Sequence, residues 1–252
     1  MILNAFVAAL DLPSNAMVNQ RIPKTLLIKN SSPTPADKRR INEGIEEMKW
    51  LAALKPASSA VPEFRDSSRE YLEIAILSAQ LRPAAKSDRL SELIHRAIPY
   101  PVFLILQTED SLIVSLAHKR WSLAKADATI IEGDVVAVQI LPDPQNELYR
   151  SFLNAISFIL QPRTNLFVLY QSWIDALIAL QVAQLTGVYN KARDPAHAFA
   201  RRDALQQSTK LEAEINRLRA IAKKERQLSR QVELNRIVKN LEEQLKQTRD
   251  IL

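Results

Sequence analysis

Between Tyr71 and Leu106 the chain reads YLEIAILSAQLRPAAKSDRLSELIHRAIPYPVFLIL. Tyr71 to Leu77 is an apolar run of strand length, most simply a buried strand. Ser87 then opens a short helix in which Leu90, Ile94 and Ala97 share one face, and Pro99 and Pro101 stop it. Val102 to Leu106 is a second apolar run. A strand, a helix and a strand at these spacings form a crossover unit, which predicts that the two strands lie parallel with a right-handed connection.

Working outward, Gln107-Thr108-Glu109-Asp110-Ser111 separates Val102–Leu106 from the apolar run Leu112–Leu116, which reads as a hairpin. Ala128 to Ile131 and Val135 to Leu141, divided by Glu132-Gly133-Asp134, read as a second hairpin. On the other side, Met1 to Leu10 reads as an apolar helix. It lacks a basic start and a small-residue cleavage site, so a secretory signal is not expected. A turn at Leu12-Pro13-Ser14 and an extended stretch from Lys24 to Lys29 follow. Thr34-Pro35-Ala36-Asp37 is a helix start with a cap and a first-turn proline. Ile41, Ile45, Met48 and Ala52 then follow helical spacing, predicting a helix that ends near Lys55-Pro56. Residues 56–69 are rich in proline and serine and read as a loop. The expected fold class is therefore α+β, a small mixed β-sheet with flanking helices over residues 1–142.

Residues 143–190 read as a helical hairpin packed on that domain. Asp143-Pro144 opens a helix with Leu148, Phe152, Ala155 and Ile159 in register, and Pro162 breaks it. From Asn165 to Thr186 runs a very apolar helix that Gly187 closes. It is long enough for a bilayer. Gln171, Ser172, Asp175, Gln181 and Gln184 interrupt it, however, and a central Asp is costly in lipid, so a core helix is expected and no membrane partner.

Residues 196–252 contain neither proline nor glycine and are rich in good helix formers. Leu211, Ile215, Leu218 and Ala222 step by four and three, as do Leu234, Val238, Leu241, Leu245, Thr248 and Leu252. Glu225, Leu228 and Val232 need two extra three-residue steps to stay on the seam. The segment reads as a long C-terminal coiled coil whose interface is Leu211, Ile215, Leu218, Leu228, Val232, Val238, Leu241 and Leu245. A helix of this kind needs a partner: itself, a second copy in a homodimer, its own domain or another protein. The formal charge of +6 is concentrated here, with 13 Lys and Arg against 8 Asp and Glu, so this is a basic coiled-coil tail. Arg217, Arg219, Lys223, Lys224, Arg226 and Arg230 crowd its middle. They read either as the solvated flank of a coiled coil or as a sequence-independent contact to nucleic-acid phosphates. No aromatic residue follows Phe199, so base stacking is not on offer there.

The composition excludes several chemistries. There is no cysteine and only three glycines, Gly44, Gly133 and Gly187, so no thiolate metal site, phosphate-cradling glycine loop or Gly-x-Ser-x-Gly elbow can be built. His95, His118 and His197 are not spaced as metal ligands. No cofactor is expected. Glu47-Met48-Lys49 has the acid-x-lysine spelling of metal-dependent nucleases, but here it falls on the expected helix, away from a sheet.

Several short stretches carry a resemblance. They are Arg21-Ile22-Pro23-Lys24, Glu47 to Pro56, Glu73-Ile74-Ala75-Ile76, Ala97 to Val102 leading to His118-Lys119-Arg120, and Trp173 to Leu177 through Leu185-Thr186-Gly187. Together they resemble a bacterial family of unknown function whose members are encoded beside DNA helicases and adenine methyltransferases of restriction-like defence systems. That resemblance implies a cytoplasmic, non-catalytic accessory subunit that binds a helicase or DNA methyltransferase of the same anti-phage system. It carries over no catalytic residue. Alternatives are a nucleic-acid-binding module and an atypical metal-dependent nuclease. Lys24, Glu73 and Lys119 are expected to converge on the sheet face.

Overall fold

A computed structural model describes residues 2–31, 33–124, 128–141, 143 and 145–252. The chain forms two compact units, Met1–Leu180 and Gln181–Leu252. The first runs α1 (Ile2–Ala9), β1 (Met17–Arg21), α2 (Lys24–Ser31), α3 (Pro35–Gly44), β2 (Ile45–Leu54), α4 (Pro56–Ser59), β3 (Phe64–Arg65), β4 (Glu70–Tyr71), β5 (Ile74–Leu81), α5 (Ser87–Ala97), β6 (Val102–Gln107), β7 (Leu112–Trp121), β8 (Thr129–Ile140) and α6 (Glu147–Ile156). It continues into α7 (Leu166–Thr186), in which the division between the units falls. Of the helices expected at 143–190, α6 and most of α7 belong to the first unit. The second unit holds α8 (Pro195–Lys224) and α9 (Leu228–Arg249).

The expected α+β class holds. Six strands form one sheet in the order β1-β2-β5-β6-β7-β8, and β3-β4 make a separate two-stranded ribbon. β5 and β6 are parallel, as the strand–helix–strand reading requires, and the other pairs are antiparallel. One face of the sheet buries Ile45, Met48, Ala75, Leu77, Ala79, Leu104 and Leu106 against Leu27 of α2, Ile41 of α3 and Leu90, Leu93 and Ile94 of α5. The other face presents Phe103, which meets Trp173 of α7 edge-on at 5.1 Å and Phe6 of α1 at 6.5 Å. Helix α7 is long and apolar enough to cross a membrane, but about two thirds of that span, 67%, is buried inside the molecule.

Several local expectations fail; residues 56–69, for example, hold α4 and β3 rather than a loop. The helix expected through Ala52 stops at Gly44, and Ile45–Leu54 is a strand. Its ladder to β5 slips between Ile45 and Glu47 and again between Trp50 and Ala52. Each slip adds a residue to the period of two, so Ile45, Met48 and Leu51 are buried at intervals of three and imitate a helix. Conversely, Lys24–Ser31 is helix α2, not an extended stretch. The hairpin expected at Glu132-Gly133-Asp134 is one continuous strand, β8. Leu116 pairs with Val136 but His118 pairs with Glu132, so the extra residues are absorbed in a bulge at Gly133, whose φ is +71°. The expected Asp143-Pro144 cap includes Pro144, which lies outside the described residues. Asn146 is the cap, its side chain accepting from the Leu148 and Tyr149 amides.

Gly133 faces open space, so a side chain there meets no clash and only the left-handed backbone is strained. Gly133→Ala should therefore lower stability by about 1 kcal/mol, measured by urea unfolding, without altering the far-ultraviolet spectrum.

Candidate functional site

The cross-strand register places polar side chains at one end of the sheet. Arg21 stands opposite Lys49, and Lys49 opposite Ser78. Glu47 stands opposite Gln80, and Gln80 beside Gln107. Residues paired across a ladder point to the same face, so these six form two adjoining rows. They line an open cleft of ≈ 510 Å³ together with Glu46 and Leu3 of α1. Glu47 accepts two ion pairs there, from Lys49 at 3.1 Å and Arg21 at 3.7 Å. The acid-x-lysine pair thus lies on a strand and faces a cleft, correcting its expected place on a helix. Ser78, Gln80 and Gln107 escaped the sequence reading. Their one signal was the alternation Ser78-x-Gln80 at the end of an otherwise apolar run.

Lys24, Glu73 and Lys119 do not form one cluster. The Lys24 ammonium donates to the carbonyls of Asn42, at 3.1 Å, and Ile45. Burial lowers its pKa, and the charges of Arg82 and Arg21 act in the same direction. Glu73, buried between β4 and β5, pairs with Lys55 at 3.1 Å. Lys119, only 1% exposed, reaches the C-terminal end of α5 and donates to the carbonyls of His95 and, at 2.9 Å, Ile98. A cation suits a helix C-terminus. Burial nonetheless pulls its pKa down to about 7.

Strand alternation separates Lys119 from its neighbour His118. Lys119 joins a buried group in which Ser91 and Ser115 hydroxyls lie 2.7 Å apart and His95 Nε2 lies 3.1 Å from Ser115. Burial and then the Lys119 charge push the His95 pKa down to about 3, so its imidazole is neutral near pH 7. His118 instead joins a chain: Tyr71 Oη to His118 Nδ1 at 2.5 Å, His118 Nε2 to Gln171 at 2.8 Å, and Gln171 to Asp175 at 2.8 Å. Phe64 stacks on Phe167 at 4.9 Å beside it, and Arg69 forks onto Glu132 at 2.6 and 2.7 Å. Both His118 nitrogens are occupied, so this chain has no lone pair to offer a substrate and acts as a bridge from β7 to α7. Among the described residues, no three His, Cys, Asp or Glu side chains come together as metal ligands.

In the second unit, α8 turns at Glu225–Gln227 and α9 packs back along it. The phase slip in the heptad stripe is this turn. Its polar groups are satisfied locally, the Glu225 carboxylate accepting from the amides of Arg226 at 2.8 Å and Gln227 at 3.0 Å. Ile215, Leu218 and Val238 are buried in the seam, flanked by Leu234, Leu241 and Leu245, and Leu211 lines a groove near the far end with Thr248. Leu228 and Val232, expected in the interface, are 73% and 60% exposed at the start of α9. They lie beyond the slip, where the stripe has left the seam.

The six basic residues divide as well. Arg217 pairs with Glu214 at 2.6 Å, Arg219 with Glu242 on the facing helix at 2.5 Å, and Arg230 with Glu225 at 3.7 Å. Lys223, Lys224 and Arg226 are exposed at the turn itself. The turn therefore combines three cations with the exposed apolar side chains of Ile221, Leu228 and Val232.

Two outcomes follow. Because Lys119 titrates lower in the folded protein than in the unfolded chain, the unfolded state binds more protons from about pH 7 to about 10.5, and stability should rise with pH across that window. Urea midpoints measured from pH 7 to 10 should show the rise, and Lys119→Met should flatten it. Leu218→Asp should unfold the α8–α9 hairpin and cut helicity, whereas Leu228→Ser should change stability by no more than about 0.5 kcal/mol by thermal melting.

Neither a curated protein nor a solved structure matches the chain. A family model described as a domain of unknown function (DUF4391) matches residues 10–245. With its sheet, helices α2 to α7 and nearly all of its hairpin inside that match, the chain belongs to the DUF4391 family.

Proposed function

We propose that this protein is a non-catalytic accessory subunit of a bacterial restriction-like or anti-phage defence complex, and that the turn of its α8–α9 hairpin docks a helicase or DNA methyltransferase. The observation that carries the reading is the division within the hairpin. Its seam is filled by its own two helices, while its turn exposes Ile221, Leu228 and Val232 among Lys223, Lys224 and Arg226. Isolated apolar residues on a surface are ordinary, but three within the last turn of one helix and the first turns of the next, set among cations, suit a partner that is both apolar and acidic. A second copy of the chain is a poorer occupant, since two such turns repel each other. The assignment to a defence complex rests on the sequence resemblance.

Direct binding of nucleic-acid phosphates is the weaker reading because Arg217, Arg219 and Arg230 are already paired with carboxylates. Fewer free cations mean a shallower salt dependence.

Affinity capture of the full-length protein from its host, with and without nuclease treatment, tests the choice. A helicase or methyltransferase should be retained after nuclease and lost from a Lys223→Glu, Lys224→Glu, Leu228→Ser variant. Loss of every partner with nuclease alone, with nucleic acid in the untreated eluate, would overturn the reading.

A further inference from the structure

The cleft at the sheet's end has no part in that proposal, and its chemistry points elsewhere. It lies at the carboxyl ends of the parallel strands β5 and β6, marked by Gln80 and Gln107. The face is apolar under α1 and α7, at Ile76 and Phe103, and turns polar at Ser78, Gln80 and Gln107. Ser78 is 3% exposed, yet its hydroxyl, like the two carboxamides, engages no other described residue. The hydroxyl and the two part-buried carboxamides open on the cleft, where they can bond to a ligand in place of water.

The charges at the rim narrow the ligand. Glu46 and Glu47 face Arg21 and Lys49, and both cations are already paired with Glu47. A bare anion would have to break those pairs and leave the carboxylates facing it. A bare cation would be opposed by the arginine and the lysine. A divalent cation arriving with a phosphate satisfies both sets. The carboxylates and a Gln80 or Gln107 carbonyl take the cation, which releases Arg21 and Lys49 to receive phosphate oxygens. Mg²⁺ is commonly held in this way, by one or two carboxylates plus the phosphates of its ligand. Among the described residues no aromatic ring lines the cleft, so its grip is on phosphate rather than on a stacked base.

We infer that this cleft binds a phosphate group accompanied by a divalent cation, carried either by a free nucleotide or by a nucleic-acid strand. The inference is independent of the docking role assigned to the hairpin.

Isothermal titration of the full-length protein with ATP and, separately, with a single-stranded DNA oligonucleotide, each in Mg²⁺ and in EDTA, tests it and separates the two sources. One of the probes should bind in Mg²⁺ and lose at least about tenfold in affinity in EDTA, a change of about 1.4 kcal/mol. Glu47→Gln should remove the dependence on Mg²⁺, and Gln80→Ala with Gln107→Ala should weaken binding about tenfold. Glu47 and Lys49 are partly exposed, so thermal melting should report Glu47→Gln and Lys49→Ala as folded. Binding of neither probe, or binding indifferent to both EDTA and Glu47→Gln, would overturn the inference. The second result would place any contact to DNA on the basic helices instead.

Discussion

Strand β2 can bury Ile45, Met48, Leu51, Ala52 and Leu54 only because its ladder to β5 slips twice. A regular strand of this sequence, with its period of two, would expose part of that set and bury Glu47 or Lys49 in its place. The first slip keeps Ile45 and Met48 together against α2, α3 and α5 and leaves the acid and the lysine on the opposite face, and the second brings Ala52 and Leu54 to that opposite face beside Ile76 and Ile74. The same constraint sets the register that brings Glu47 beside Gln80 and Lys49 beside Ser78. Core packing and the polar cleft are thus two consequences of one irregular strand pairing.

Strand β7 performs a similar division further along the sheet. Successive residues His118 and Lys119 point to opposite faces, and each ties the sheet to a different helix. Lys119 closes the carbonyl end of α5, while His118 bridges Tyr71 to Gln171 of α7. Both are buried or partly buried polar groups with their hydrogen bonds met inside the molecule, so they fix helices on the sheet rather than await a substrate. Ser78, Gln80 and Gln107, whose side chains engage no other described residue, are gathered instead around the cleft at the sheet's end.

Much of this architecture was legible in the sequence. The parallel pair around α5, the β6–β7 hairpin, the apolar α7 and its Gly187 cap, and the helical tail all follow from apolar runs and their punctuation. What was not legible was irregularity. The double slip in β2 gave a strand the spacing of a helix, and Gly133 gave one bulged strand the look of a turn. In the tail, the phase slip near Glu225 was visible as a count of residues. Only the fold-back shows it to be the turn that removes Leu228 and Val232 from the seam. The cleft escaped because its six polar residues come from four strands and meet only through the register.

The docking role proposed for the turn depends on the tail being its own partner, since a seam filled from within is closed to a partner protein. The natural chain has no cysteine, so a pair can be placed cleanly at Glu212 and Arg249, which form an ion pair across the two helices. Treating the Glu212→Cys, Arg249→Cys protein with a short bismaleimide at low concentration measures this directly. Cross-linking within single chains, with no product of doubled mass, is the predicted result. Dimers as the main product would show that the seam is shared between two copies and would contradict the account.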